Sequence, residues 1–204
     1  MKQAEAIKLL KLNLGFSDKA VKKLVFFHNY LLKWNSRYNL ISKSTEEQIW
    51  GRHILDSAQL VKFIERKNAS ISDFGSGAGF PGLILAIYFE NKGFHVKLVE
   101  KSPVKRSFLE EISKKLKLKV QILDNVYLSD VSADIIVCRA FKKLKEIIKI
   151  SREILKKPHN IIILKGKDAQ DEINNLSMDQ NYSYKLKRSM TDIKSKIIIF
   201  QVKK

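Results

Sequence analysis

The densest chemical content of the chain lies in DFGSGAGFPG, residues 73–82. Gly75, Gly77 and Gly79 alternate there, so the main chain can turn sharply and approach a ligand with no Cβ in the way. Pro81 opens the apolar run that follows, a favoured place for a residue with no N–H to offer. Gly77, Gly79 and Gly82 also satisfy the dinucleotide spacing G-x-G-x-x-G, a weak match when taken alone. Two details favour another ligand. Asp73 precedes the glycines, where a carboxylate can receive an ammonium group, and the loop holds no Lys or Arg to mark a phosphate. S-adenosylmethionine carries an ammonium and no phosphate. Glu100 stands 27 positions after Asp73, at the end of the next apolar run. A carboxylate there accepts hydrogen bonds from both ribose hydroxyls.

Further candidates lie outside the loop. Cys138 is the single cysteine. It reads either as a nucleophile for carbon-5 methylation of cytosine or as a small buried residue; no Pro precedes it, which favours the second. Arg139 can stack on or hydrogen-bond a base, hold a donor carboxylate, or be a surface charge. His53 and Asp56, in RHILDS (52–57), form either an acid–base pair or, with Arg52, a polar cluster tying one segment to another; the cluster is the expected reading. Lys33, Arg37, Lys165 and Lys167 are the cations expected on a polyanionic partner, and Lys165 is the one assigned to phosphate. Trp34, Tyr38 and Phe141 are able to stack on bases, although Trp34 is expected to be buried. No His/Asp/Glu group has metal-ligand spacing.

Positioning these residues takes two kinds of segment. Up to residue 67 the apolar residues recur at helical spacing. Val21, Leu24, Val25, His28 and Leu32 share one face after the cap Ser17-Asp18. A second helix is expected over 46–65, with residues 33–42 (KWNSRYNLIS) as a connection or short irregular strand. From Ile71 the pattern becomes short β-branched runs alternating with amphipathic stretches, the signature of a parallel sheet covered by helices. Strands are expected at 69–74, 94–100, 118–123, 133–138 and 160–165, with helices at 81–90, 103–117, 143–156 and 168–176. The chain closes on two strands, 181–190 and 195–203, joined by a short turn. The expectation is a helical extension (1–67) and a Rossmann-like α/β domain (68–204), its seven-stranded sheet ending on an antiparallel strand.

The balance of 39 Lys+Arg against 21 Asp+Glu gives a formal charge of +18. Such an excess suits a polyanionic partner, because neutralised phosphates release counterions; codon bias toward Lys is the alternative. Residues 1–68 carry +7 and the remainder +11, so neither part is a basic tail. No apolar run approaches a membrane span, and a lone cysteine precludes an internal disulfide. A cytoplasmic protein, bound to no membrane and acting as a monomer, is expected.

KWNSRYNLIS, RHILDS, DFGSGAGFPG, CRAF (138–141) and LKG (164–166) stand in the order and at the spacing of one family. The chain resembles, over about residues 20–203, the bacterial 16S ribosomal RNA guanine-N(7) methyltransferases, also called the glucose-inhibited division protein B family. The resemblance implies a Rossmann-like S-adenosylmethionine-dependent methyltransferase acting on a guanine of the small-subunit RNA. It implies that Gly75, Phe80, Val126, Tyr127 and Arg139 line the donor site, beside Asp73 and Gly77, with Glu100 as the ribose acid and Arg139 as a positioning residue. Tyr127 departs from the acidic residue common in the family, and Cys138 from its serine. Position seven of guanine bears an in-plane lone pair and no proton, so transfer rests on proximity and orientation and needs no general base. No Asn/Asp-Pro-Pro-aromatic motif follows the fourth strand. A methyltransferase for another RNA position, a protein or a small molecule is the alternative.

Overall fold

A computed structural model describes residues 1–127, 131–176 and 182–203. Helix α1 (Gln3–Leu14) buries Ala6, Leu10 and Leu14. Helix α2 (Asp18–Tyr38) begins where Ser17 Oγ accepts from Ala20 N at 3.2 Å, satisfying an orphan N–H of the first turn. Its buried face is Ala20, Val21, Leu24, Phe27, Leu31 and Asn35, while His28 and Leu32 sit half-buried at its edge. The expected connection at 33–42 is mostly helix. α2 runs on through Trp34, itself only half-buried, because Asn35 Oδ1 accepts from Ile41 N at 2.8 Å and fixes the exit of the chain.

The single helix expected over 46–65 is broken. It comprises α3 (Lys43–Glu46), a π-helix (Ile49–Leu55), α4 (Asp56–Ala58) and a 3₁₀ turn (Gln59–Phe63). The π-helix has a visible cause. Asp56 N bonds Gly51 O and His53 O, skipping the Arg52 carbonyl that an α-helix would use. That carbonyl instead accepts from Arg139 Nη1 at 2.8 Å. Such bulges gather at functional sites.

Seven strands follow: β1 (Ser70–Phe74), β2 (His95–Val99), β3 (Val120–Leu123), β4 (Ile135–Arg139), β5 (His159–Lys165), β6 (Tyr182–Arg188) and β7 (Lys196–Val202). Their order is β3-β2-β1-β4-β5-β7-β6. β1 to β5 are parallel, and β7 lies antiparallel between β5 and β6, as the sequence implied. Helices α5 (Gly82–Tyr88), α6 (Pro103–Lys115), α7 (Leu144–Ile154) and α8 (Ala169–Asn174) cover the sheet. The chain leaves β1 toward β2 and later returns to β4 on its other side. The carboxyl ends of β1 and β4 therefore form the switch point where open α/β sheets bind ligands.

Period two along the strands divides the core. Ile71 and Val137 join the cluster that also takes in α1, α2, α5 and α6, while Phe74, Ile136 and Cys138 join the cluster under α7 and α8. The helical extension thus shares one continuous core with the sheet. Among the described residues no helix is long and apolar enough to cross a membrane.

Candidate active site

Local backbone bonds hold the glycine loop at the end of β1. Gly75 N and Ser76 N both donate to Val99 O, at 2.9 and 3.0 Å. Gly75 has φ of 73°, and a Cβ there would lie 2.6 Å from Phe141 Cδ2, so the CRAF segment lies directly over the loop. Glu100 is nearly buried, with both oxygens fixed. Oε2 accepts from Gly77 N at 2.9 Å and Oε1 from Ser102 N at 2.8 Å, at the opening of α6. Each oxygen keeps a lone pair.

Asp73 lies inside rather than on the rim. It is fully buried, and Oδ2 accepts from Gly82 N at 2.8 Å, while Oδ1 has no hydrogen-bond partner. Burial pushes its pKa up to about 7, against the lowering effect of the Gly82 hydrogen bond and of the nearby Ser76 hydroxyl, which itself donates to the Asp73 main-chain carbonyl at 3.1 Å. Gly82 makes this approach possible. Its Cβ would fall 2.6 Å from Asp73 Cβ and 2.4 Å from Leu98 Cδ2, so only glycine lets α5 pack this close to β1 and β2.

Arg139 closes β4 on the face turned toward the extension. Nη1 donates to Arg52 O, Nη2 lies 2.7 Å from His53 Nδ1, and the guanidinium sits 5.1 Å from the Phe80 ring centre. A guanidinium only donates, so His53 Nδ1 is an acceptor and the proton of this imidazole sits on Nε2, buried without a partner. Burial, then the Arg139 and Arg52 charges, pull the His53 pKa down to about 3. The ring is neutral near pH 7 and far too weak a base for the acid–base role that the sequence left open. His53 stacks on Phe80 at 5.0 Å, and Phe80 packs edge-on against Phe27 at 5.3 Å. Phe80 is thus a buried floor beneath Arg139.

Asp56 anchors the expected tie between segments, through partners that the sequence did not reveal. Oδ1 accepts from Gln59 Nε2 (2.8 Å), Thr191 Oγ1 (2.7 Å) and Ser189 Oγ (3.2 Å), and Met190 N donates to Gln59 Oε1 at 2.9 Å. The extension is thereby tied to the turn between β6 and β7. Only residues 130 or more positions apart could have signalled this pairing, and one sequence does not show it. The polar cluster exists, with no hydrogen bond from the Arg52 side chain among the described residues. The Arg52 guanidinium is exposed and acts on His53 and Asp56 through its charge, while the Arg52 carbonyl takes the hydrogen bond.

Other expectations are placed differently. Lys165 is not free for phosphate: Nζ donates to Glu172 Oε1 and Oε2, at 2.8 and 2.9 Å, and to Lys142 O at 3.0 Å, which occupies all three of its donors. Lys33, Arg37 and Lys167 are exposed. Val126 is buried in the α7 cluster, Tyr127 is exposed, and both line a cavity beside 153–157 at the end of α7. Cys138 is fully buried on the α7 face, opposite Arg139, and burial pushes its thiol pKa far up.

A parallel sheet with a glycine loop after β1, an acid after β2 and a closing antiparallel strand defines the Rossmann-like methyltransferase class. Across 74% of this chain and 74% of the other, the fold superposes with a TM-score of 0.52 at 21% identity on M. jannaschii TYW2, solved in complex with AdoMet. The family model described as rRNA small subunit methyltransferase G (GidB) matches residues 20–199. Relatives from Orientia and Rickettsia carry the name ribosomal RNA small subunit methyltransferase G. That of Orientia tsutsugamushi (strain Ikeda) is 34% identical over 195 residues, covering 95% of this chain and 96% of its own. That of Rickettsia akari is 37% identical over 184 residues, covering 89% and 94%. The chain belongs to the rRNA small subunit methyltransferase G family.

Proposed function

We propose that this protein transfers the methyl group of S-adenosylmethionine to the position-seven nitrogen of a guanine in 16S ribosomal RNA, in the cytoplasm and as a monomer. The observation that carries the reading is the unpartnered Oδ1 of Asp73, a buried carboxylate oxygen beneath a glycine loop that has no cationic side chain. A group with a free ammonium suits that oxygen, and the donor's amino-acid end provides one. Gly75 and Gly77 would present backbone to it, Glu100 its spare lone pairs to the ribose, and Arg139 a donor for the carboxylate or the base. Phe80 supports Arg139 from below. Val126 and Tyr127 join the donor site by family pattern alone, since the cavity they line is shared with 153–157 and with no residue of the glycine loop.

When bound, the donor supplies a sulfonium-activated methyl. The chain's own work is then to hold the guanine nitrogen in line and keep water out. Neither a general base nor a nucleophile from the protein is needed, which accords with a His53 too weakly basic to take a proton and a Cys138 turned to the other face. Lys33, Arg37 and Lys167, all exposed, would meet the RNA backbone.

Mass mapping of small-subunit RNA tests the proposal in cells lacking the protein and in cells complemented with wild type or Asp73→Ala. One methylguanosine should vanish, return with wild type and stay absent with the variant. An unchanged methylation map would overturn it.

A further inference from the structure

Between the extension and the β6–β7 turn lies a cavity of about 510 Å3, lined by Gln48, Gly51, Arg52, Asp56, Asp192 and Lys194 among others. It opens at the carboxyl end of the parallel strands, where Lys196 of β7 pairs with Lys165 of β5, and it borders the candidate active site through Arg139. Its wall holds a fixed, half-used carboxylate. Three donors lock Asp56 Oδ1, whereas Oδ2 accepts no hydrogen bond among the described residues and has Arg139 Nη1 3.9 Å away. Four residues earlier, in the π-helix that Asp56 caps, Arg52 presents an exposed guanidinium that makes no hydrogen bond among the described residues, its charge facing Asp56 and Asp192.

We propose that this cavity receives the target guanine, with Asp56 Oδ2 accepting from N1–H and the exocyclic amine and Arg52 donating to O6. The proposal rests on the function proposed above and adds how the base is chosen. If position seven is the methyl acceptor, its lone pair must stay free, which leaves the Watson–Crick edge for recognition. On guanine that edge sets an acceptor, O6, beside two donors. An oxygen with open lone pairs next to a guanidinium complements it. Adenine inverts the pattern, bringing an amine to Arg52 and a lone pair to Asp56. A phosphate would suit neither Asp56 nor Asp192, so the mixed charge favours a base over a backbone contact.

The test uses the full-length protein and small-subunit particles reconstituted with guanosine or inosine at the position wild type methylates. Inosine lacks only the exocyclic amine. Wild type should lose about 10-fold in kcat/KM on inosine, whereas Asp56→Asn should fall about 10- to 100-fold on guanosine and no longer distinguish the two. Affinity for S-adenosylhomocysteine should stay unchanged. Arg52→Gln, at an exposed site with no packing role, should lose about 10-fold on guanosine with an unchanged Tm. It serves as the reading if Asp56→Asn fails to fold. Equal discrimination by wild type and Asp56→Asn would overturn the Asp56 assignment. An Arg52→Gln loss accompanied by a salt slope shallower by about one unit would mark a phosphate contact instead, and an unchanged rate would also sink it. Should wild type methylate neither particle, the proposed reaction itself fails, a result distinct from any of these.

Discussion

Asp73 sets a sharp pH dependence. With its pKa at about 7 in the free protein, the carboxylate is about 1% ionised at pH 5 and half ionised at pH 7. If a donor's ammonium binds only the ionised form, apparent affinity scales with that fraction. Affinity should then rise about 50-fold from pH 5 to pH 7 and level off above about pH 8. Stability without ligand moves the other way. The folded pKa lies above the unfolded one, so the folded state holds the extra proton between about pH 4 and 7, and stability falls as pH rises through that window. A shift of this size corresponds to about 4 kcal/mol at the upper end, an upper bound given local relaxation. Asp73→Asn keeps an acceptor for Gly82 N and removes the charge, so it should flatten both curves. Calorimetry with the stable product S-adenosylhomocysteine between pH 5 and 8, in buffers of different ionisation enthalpy, reads affinity and proton release together. An affinity that is constant from pH 5 to 7, or a slope that survives in Asp73→Asn, would refute the reasoning.

Gly75→Val forces a branched residue into φ of 73° and a Cβ 2.6 Å from Phe141 Cδ2, a backbone strain of about 1–3 kcal/mol; calorimetry should show donor affinity down at least about 100-fold while circular dichroism stays native. Cys138→Ser should keep methyl transfer within about threefold, since the thiol is buried on the far face, and cost about 1–2 kcal/mol for burying a hydroxyl; complete loss of activity with an intact fold would restore the nucleophile reading. Lys165→Ala leaves Glu172, partly exposed, without its cation and should lower stability by about 1–3 kcal/mol. The slope of log K against log [salt] for RNA should not change, and a slope reduced by about one unit would return Lys165 to the phosphate contacts.

Sequence alone was enough for the α/β sheet, its antiparallel closing strand and the glycine loop with Asp73 and Glu100. These follow from local signals: period two against period 3.6, and glycines between a strand and a helix. What neighbours decide, the sequence could not show. Arg139 takes the Arg52 carbonyl, and the helix expected over 46–65 becomes a π-helix there. Lys165 finds Glu172 and is spent on it, although its position after β5 looked open to RNA. Asp56 meets Ser189 and Thr191 across more than 130 positions, and Asp73 reaches Gly82 only because that residue lacks a Cβ. The reason is common to all four. A side chain's type is fixed locally, but its free donors, lone pairs and pKa depend on which distant groups folding brings within about 3 Å.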